Sequence, residues 1–266
     1  VSPIAARESK AILPIMTCVR LATDDGRLDV AAMSHEGAAR AHAPATVESV
    51  GACAVSVRRL LDAVKSLGGE TLTLAVGGTG LTIRGADGSV RLPVLEDADT
   101  ILDAWKLALP ETAVMVAIDG PALRAALRAV RHAVARDESR GAIAGVAIQV
   151  SPGGCHVVAT DGARMAIAAI GGTSDGEVTA ILPDVGVDAV VAALDGAAGA
   201  VQIDLDPACI VLLTSGSQAR VVGLAGQYPA WRPVVARFTR GAVVRLPGGA
   251  LTGALRRCLT VAGPMV

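Results

Sequence analysis

Apolar and polar residues alternate from Val19 to Ala32, in VRLATDDGRLDVAA, with a break at Asp25-Gly26. A strand with one buried face repeats every two residues, so this stretch predicts a hairpin. After Val55 the period lengthens: Leu60, Leu61, Val64 and Leu67 fall at helical spacing, and Gly68-Gly69 ends the run. Alternation resumes in TLTLAVGGTGLTIRGADGSVRLPV, with turns predicted at Gly77-Gly78 and Asp87-Gly88. From Pro110 to Arg140 the residues Leu123, Leu127, Val130 and Val134 recur at i, i+4, i+7 and i+11, which predicts one amphipathic helix, drawn from Pro121 to Arg136.

The pattern occurs twice. An offset of 127 residues sets Val19 on Val146, Leu21 on Ile148, Gly26 on Gly153 and Val30 on Val157, and lays the helical stretch Val57 to Leu67 over Asp184 to Leu194. A short insertion follows, after which TLTLAVGGTGLTIR matches AVQIDLDPACIVLL. The expected fold is α+β: tandem domains, each with antiparallel sheets outside and helices on one face. The boundaries expected are 1–109, 110–235 and 236–266. In the last segment, ARFTRGAVVRLPGGALTGALRRCLTVAG reads as a strand and then a helix carrying Leu251, Leu255 and Leu259, like the opening of the second domain. The first domain lacks an equivalent opening strand and helix, so a C-terminal strand and helix of one copy could complete the first domain of the next.

Composition narrows the possible functions. At 52% hydrophobic and 18% charged, the 266-residue chain can build a large core and is not disordered. Aromatics are only 2%, too few for a series of base-stacking platforms. Net charge is −1, so contact with nucleic acid depends on local segregation of cations. Five cysteines without a CxxC pair suit a reduced, cytoplasmic chain, and there is neither a long uncharged apolar run nor a signal-like opening, so no membrane is expected.

Cations do segregate. Arg124, Arg128 and Arg131 repeat at i, i+4 and i+7 beside the apolar stripe of the 121–136 stretch, with Arg136 and Arg140 following. Arg58, Arg59 and Lys65 mark the helix of the first repeat. Such rows can follow phosphates without reading bases; an ordinary solvated helix face has the same pattern.

Three segments are similar to one family. AILPIMTCVRLATDDGRLDVAA resembles the LPIL-strand-DGRL-strand opening of the bacterial DNA polymerase III β subunits, the sliding clamps. RDESRGAIAGVAIQV followed by CHVVATDGARMAIAA resembles their second-domain signature, and QYPAWRPVV the segment that closes that domain. The resemblance runs over roughly residues 10 to 260, in the family's order. It implies a homo-oligomeric ring around double-stranded DNA, with helices lining the hole. By position it implies DNA contacts at Lys10, Arg58, Arg59 and Arg140. It also implies a cleft that takes short linear motifs from DNA polymerase III and clamp-loader subunits, matched here by Ile143, Thr160, Gly162, Ala163, Arg164, Met165, Pro229, Pro233 and Val234. Read without the family, these positions are plain domain core.

The sequence departs from the family pattern in places. Ala163 replaces a frequent His, Pro233 an Arg, and Asp184-Val185 basic residues of the second inner helix; Gly141 and Ala142 are smaller than their counterparts, and a full third domain is absent. No catalytic set emerges. Gly172-Thr173-Ser174-Asp175-Gly176 fits a nucleophile elbow, but every His precedes Ser174 and a strand pattern follows. Gly77-Gly78-Thr79-Gly80 lacks the helix and Lys of a phosphate loop, and neither metal-ligand spacing nor a cofactor motif is found. Two classes of function remain: a clamp-like processivity factor that encircles duplex and tethers the replicative polymerase, or a truncated or degenerate clamp-like interaction module that binds clamp partners without closing on DNA.

Overall fold

The computed structural model describes residues 14–24, 26–95, 111–174, 176–238, 241 and 244–259. Residues 1–228 form one compact unit and 229–266 a second. The elements of the first repeat are β1 (Cys18–Asp24), β2 (Arg27–Ser34), β3 (Gly37–Pro44), β4 (Ala52–Ser56), α1 (Val57–Ser66), β5 (Thr73–Gly77), β6 (Gly80–Gly85) and β7 (Gly88–Pro93). Next come β8 (Val114–Asp119) and α2 (Gly120–Val130), which open the second repeat. It continues with β9 (Gly145–Ser151), β10 (Gly154–Thr160), β11 (Met165–Ile170), β12 (Gly172–Thr173), β13 (Val178–Pro183), α3 (Asp184–Ala193), β14 (Ala200–Asp206), β15 (Cys209–Leu213) and β16 (Ser217–Val222). The second unit holds α4 (Arg232–Ala236) and α5 (Gly248–Leu259).

The repeat read from the sequence is a repeat of structure. Adding 127 carries β1 onto β9 and α1 onto α3 without remainder, and adding 129 carries β7 onto β16. The paired apolar residues are buried in both copies: Val19 and Val146, Leu21 and Ile148, Val55 and Leu182, Leu67 and Leu194. Burial on one sheet face sets the two-residue period, and turn glycines set its limits; Gly26 takes φ 74° between the paired residues Asp24 and Arg27, a conformation that suits glycine.

The sheets decide how the repeats join. A nine-stranded sheet runs β12-β8-β14-β15-β16-β3-β2-β1-β4, so β16 of the second repeat pairs antiparallel with β3 of the first, Ala219 opposite Ala39. A four-stranded sheet, β11-β10-β9-β13, completes the second repeat, and a three-stranded sheet, β5-β6-β7, the first. In the second repeat, α2 and α3 fill the space over the strands with Leu123, Leu127, Val130, Val187, Val190 and Leu194. Among the described residues the core of the first repeat is smaller and has α1 alone, through Val57, Ala63 and Leu67.

One expectation about helices needs correction, and one helix that forms as expected leaves part of its apolar spacing in solvent. The stripe ending at Val134 is not one helix to Arg136, because α2 ends at Val130, a single 3-10 turn covers Arg131–Ala133, and Val134 is extended. Val134 is nonetheless buried, so its place in the apolar pattern reflects burial and not helicity. In α1 the spacing gathers Leu61 and Val64 with Leu60 and Leu67, yet Leu61 is 39% and Val64 41% exposed. Among the described residues no helix packs on α1 as α2 packs on α3.

Candidate nucleic-acid interface

The cationic helix α2 starts where Asp119 caps it: the Ala122 amide donates to Asp119 Oδ2 at 2.9 Å, and Pro121 sits in the first turn, where no amide is needed. Leu123, Ala126, Leu127 and Val130 face the core, which turns Arg128 to solvent and places Arg124 and Arg131 beside α3. Arg131 Nε donates to Asp184 at 2.8 Å, Nη2 to Asp184 at 3.1 Å and to Asp188 at 2.9 Å, while Nη1 donates to Asp188. Asp184 foremost, then Asp188, holds the guanidinium even more firmly protonated than usual. Arg124 Nη2 donates to Asp195 at 2.6 Å.

The row of three arginines is thus not three free charges. Arg131 and Arg124 are answered by carboxylates of α3 and the turn after it, and Arg128 makes no ion pair among the described residues. Arg58, Arg59 and Lys65 are exposed on α1, and Arg136 and Arg140 are exposed in the loop after α2. Lys10 lies outside the described residues. The sequence reading singled out Asp184 but missed Asp188 and Asp195; the i, i+4 spacing of Asp184 and Asp188 was the signal that one cation could meet both.

The positions assigned to the peptide cleft divide between the two units. In the first, Thr160 is buried and the segment 161–164 is a tight turn. The Gly162 amide donates to Thr160 Oγ1 at 3.1 Å, and that hydroxyl donates to the Arg164 carbonyl at 2.7 Å. Asp161 accepts from the amides of Arg164 and Ala163, both at 3.0 Å, and from Arg164 Nε at 2.9 Å; these bonds hold its carboxyl below the usual range. The Arg140 guanidinium lies over the turn, so that a Cβ on Gly162 would meet its Nη2 at 3.3 Å. Beneath, Tyr228 is buried, donates to the Val158 carbonyl at 3.3 Å, and has its phenol pushed up to about 12 by burial. Ile143 is half-buried in the loop before β9, and Met165 is half-buried at the start of β11. In the second unit, Pro229, Pro233 and Val234 are exposed, the last two on α4. Ser174 is bound to Gly176 in a turn after strand β12, its hydroxyl 3.1 Å from both the amide and the carbonyl.

Tandem α+β domains that share a sheet across their boundary and carry cations on their helices define a clamp-type fold. The solved DNA polymerase III β subunit of Thermotoga maritima is similar at TM-score 0.76 and 20% identity, with 87% of this chain and 62% of that one covered. A DNA polymerase sliding clamp from Pseudomonas aeruginosa matches at TM-score 0.72 and 22% identity, over 85% of this chain and 61% of that one. The Helicobacter pylori β clamp bound to a DNA ligase peptide matches at TM-score 0.70 and 17% identity, over 89% and 65%. The chain spans about six-tenths of the length of these relatives. Sequence models of the family place its N-terminal domain at residues 4–102 and its central domain at 117–230. The chain belongs to the DNA polymerase III β subunit family.

Proposed function

We propose that the chain acts as a sliding-clamp processivity factor, one that encircles double-stranded DNA as a homo-oligomeric ring and tethers the replicative polymerase. The observation that carries this reading is the union of two like repeats through β3 and β16 in one nine-stranded sheet, with cations on the helices that pack against the sheets. A ring is retained by topology, so its lining needs only modest attraction to phosphates, and a net charge of −1 is no obstacle. Arg58, Arg59, Lys65, Arg128, Arg136 and Arg140 supply that lining, with Lys10, while Arg124 and Arg131 contribute less because their charges are already met. Domain limits of 1–109, 110–235 and 236–266 go with this reading, as does a cytoplasmic location; among the described residues no helix is long and apolar enough to cross a membrane. The work is mechanical, with no catalytic group and no cofactor called for.

Within the first unit, the turn at Asp161–Arg164 with Ile143, Thr160 and Met165 is the part of the docking site proposed for short linear motifs of DNA polymerase III and clamp-loader subunits. A relative bound to a ligase peptide supports this assignment. Family membership favours the clamp over a module that cannot close on DNA. The test is retention on DNA: a labelled protein placed by a clamp loader on nicked circular duplex stays bound until the circle is linearised, and then runs off. Equal retention on circles and linear DNA overturns the proposal, as does none on either.

A further inference from the structure

Helices of both repeats lie over one face of the nine-stranded sheet. A row of directly opposed residues runs Ala219, Ala39, Ala32, Val19 and Val55 across β16, β3, β2, β1 and β4. Opposed residues of antiparallel strands point to the same face. Ala219 and Ala39 belong to the core that α3 covers, and Val19 and Val55 to the core that α1 covers. The outer sides of α1 and α3 therefore look toward the same partner.

The two helices carry opposite charge. In the 127-residue register, Arg58, Arg59 and Lys65 of α1 stand where α3 has Val185, Gly186 and Ala192. Val57, Leu61 and Gly68 stand where the second repeat has Asp184, Asp188 and Asp195. Packing fixes one of these exchanges: a Cβ on Gly186 would lie 2.6 Å from Val221 Cγ1, so α3 has no room for a counterpart of Arg59. Val185 and Ala192 have room, being exposed, and bear no charge.

The carboxylates of the second repeat also reach the cations of its other helix. Asp184 and Asp188 hold Arg131, and Asp195 holds Arg124. Their side chains are 48%, 51% and 70% exposed, so they face solvent as well as the guanidinium groups. A phosphate approaching Arg131 meets two carboxylates that already share its charge, and the field of such a cluster is weak beyond the Debye length, about 10 Å at about 0.1 M salt. Arg128 is left as the helix cation of the second repeat with no ion pair among the described residues.

We infer that the duplex is held unequally by the two repeats: α1 carries the phosphate contacts through Arg58, Arg59 and Lys65, while α3 faces the same duplex and contributes none, its carboxylates also withdrawing Arg124 and Arg131. The inference rests on the clamp function proposed for this chain and adds to it which helix grips and which only spaces. The duplex leans on the first repeat, and the second meets it through Arg128.

The experiment is a salt series with a fluorescein-labelled duplex, read by anisotropy, on the 266-residue chain and three variants. The first, Arg58→Gln with Arg59→Gln and Lys65→Gln, strips α1. The second replaces the ionic network of the second repeat whole: Arg124→Gln, Arg131→Gln, Asp184→Asn, Asp188→Asn and Asp195→Asn. The third, Val185→Arg with Ala192→Lys, gives α3 the cations of α1. None of these positions is buried, and circular dichroism checks folding. Each phosphate contact adds roughly 0.9 to the log–log salt slope. The first variant is expected to lower the slope by up to roughly 2.7, the second to leave it unchanged, and the third to raise it by up to roughly 1.8. A second variant that lowers the slope as much as the first overturns the inference, as does a first variant with the unaltered slope. So does a third variant with the unaltered slope, because α3 then does not face the duplex. An unaltered chain that binds no duplex at low salt overturns the clamp function itself, and this inference with it.

Discussion

Arg131 donates to Asp184 through Nε at 2.8 Å and Nη2 at 3.1 Å, a two-pronged pair across the junction of α2 and α3. A cation that the spacing of the sequence assigns to DNA is thus engaged inside the protein. Releasing it should strengthen DNA binding. Asp184→Asn with Asp188→Asn is expected to raise affinity for duplex and to steepen its salt dependence by roughly 0.9 in log–log slope for one added phosphate contact. Exposed ion pairs contribute about 0.2–1 kcal/mol each, so the accompanying loss of stability should stay below about 2 kcal/mol. Fluorescence anisotropy across a salt series and urea denaturation measure the two effects.

Arg128 and Arg124 should separate in the same assay. Arg128→Glu reverses an exposed charge with no ion-pair partner among the described residues, and is expected to lower retention on circular DNA several-fold while moving stability by about 0.5 kcal/mol or less. Arg124→Glu faces Asp195 and should lower stability as well as binding. Equal loss of DNA retention without any stability difference would show that the pairing does not matter.

Leu127 and Leu255 hold one place in two copies of a motif, one wholly buried and the other 53% exposed. Leu127→Ala is expected to cost about 2–5 kcal/mol through the cavity it leaves. Leu255→Ala should cost less than about 0.5 kcal/mol when the chain is monomeric. Denaturation of both variants at low protein concentration gives the comparison.

Tyr228 is the one tyrosine of the chain, so its titration can be followed by absorbance without overlap from another phenol. Burial pushes its pKa up to about 12, against an ordinary value of about 10. Because the folded state holds the proton more tightly, the stabilisation is complete below pH ~10 and disappears as pH rises from there through 12. Tyr228→Phe should remove that part of the pH dependence and, by deleting the bond to the Val158 carbonyl, cost about 1 kcal/mol at neutral pH.

The sequence determined what depends on neighbours along the chain. Period-two stretches became strands, Val57–Ser66 became a helix, and the offset of 127 mapped one repeat onto the other, because one-sided burial leaves its period in the residues. The family motifs were legible for the same reason. The tertiary structure decided what depends on partners distant in sequence. Nothing local marks β3 as the strand that meets β16, since any open edge offers the same backbone groups. Nothing in the spacing of Arg124, Arg128 and Arg131 separates the cation that makes no ion pair among the described residues from the two that α3 and its following turn engage. Nor does periodicity tell a covered apolar face, like that of α3, from an open one, like that of Leu61 and Val64 on α1. Periodicity records which residues seek burial; only the packing of distant elements shows which of them find it.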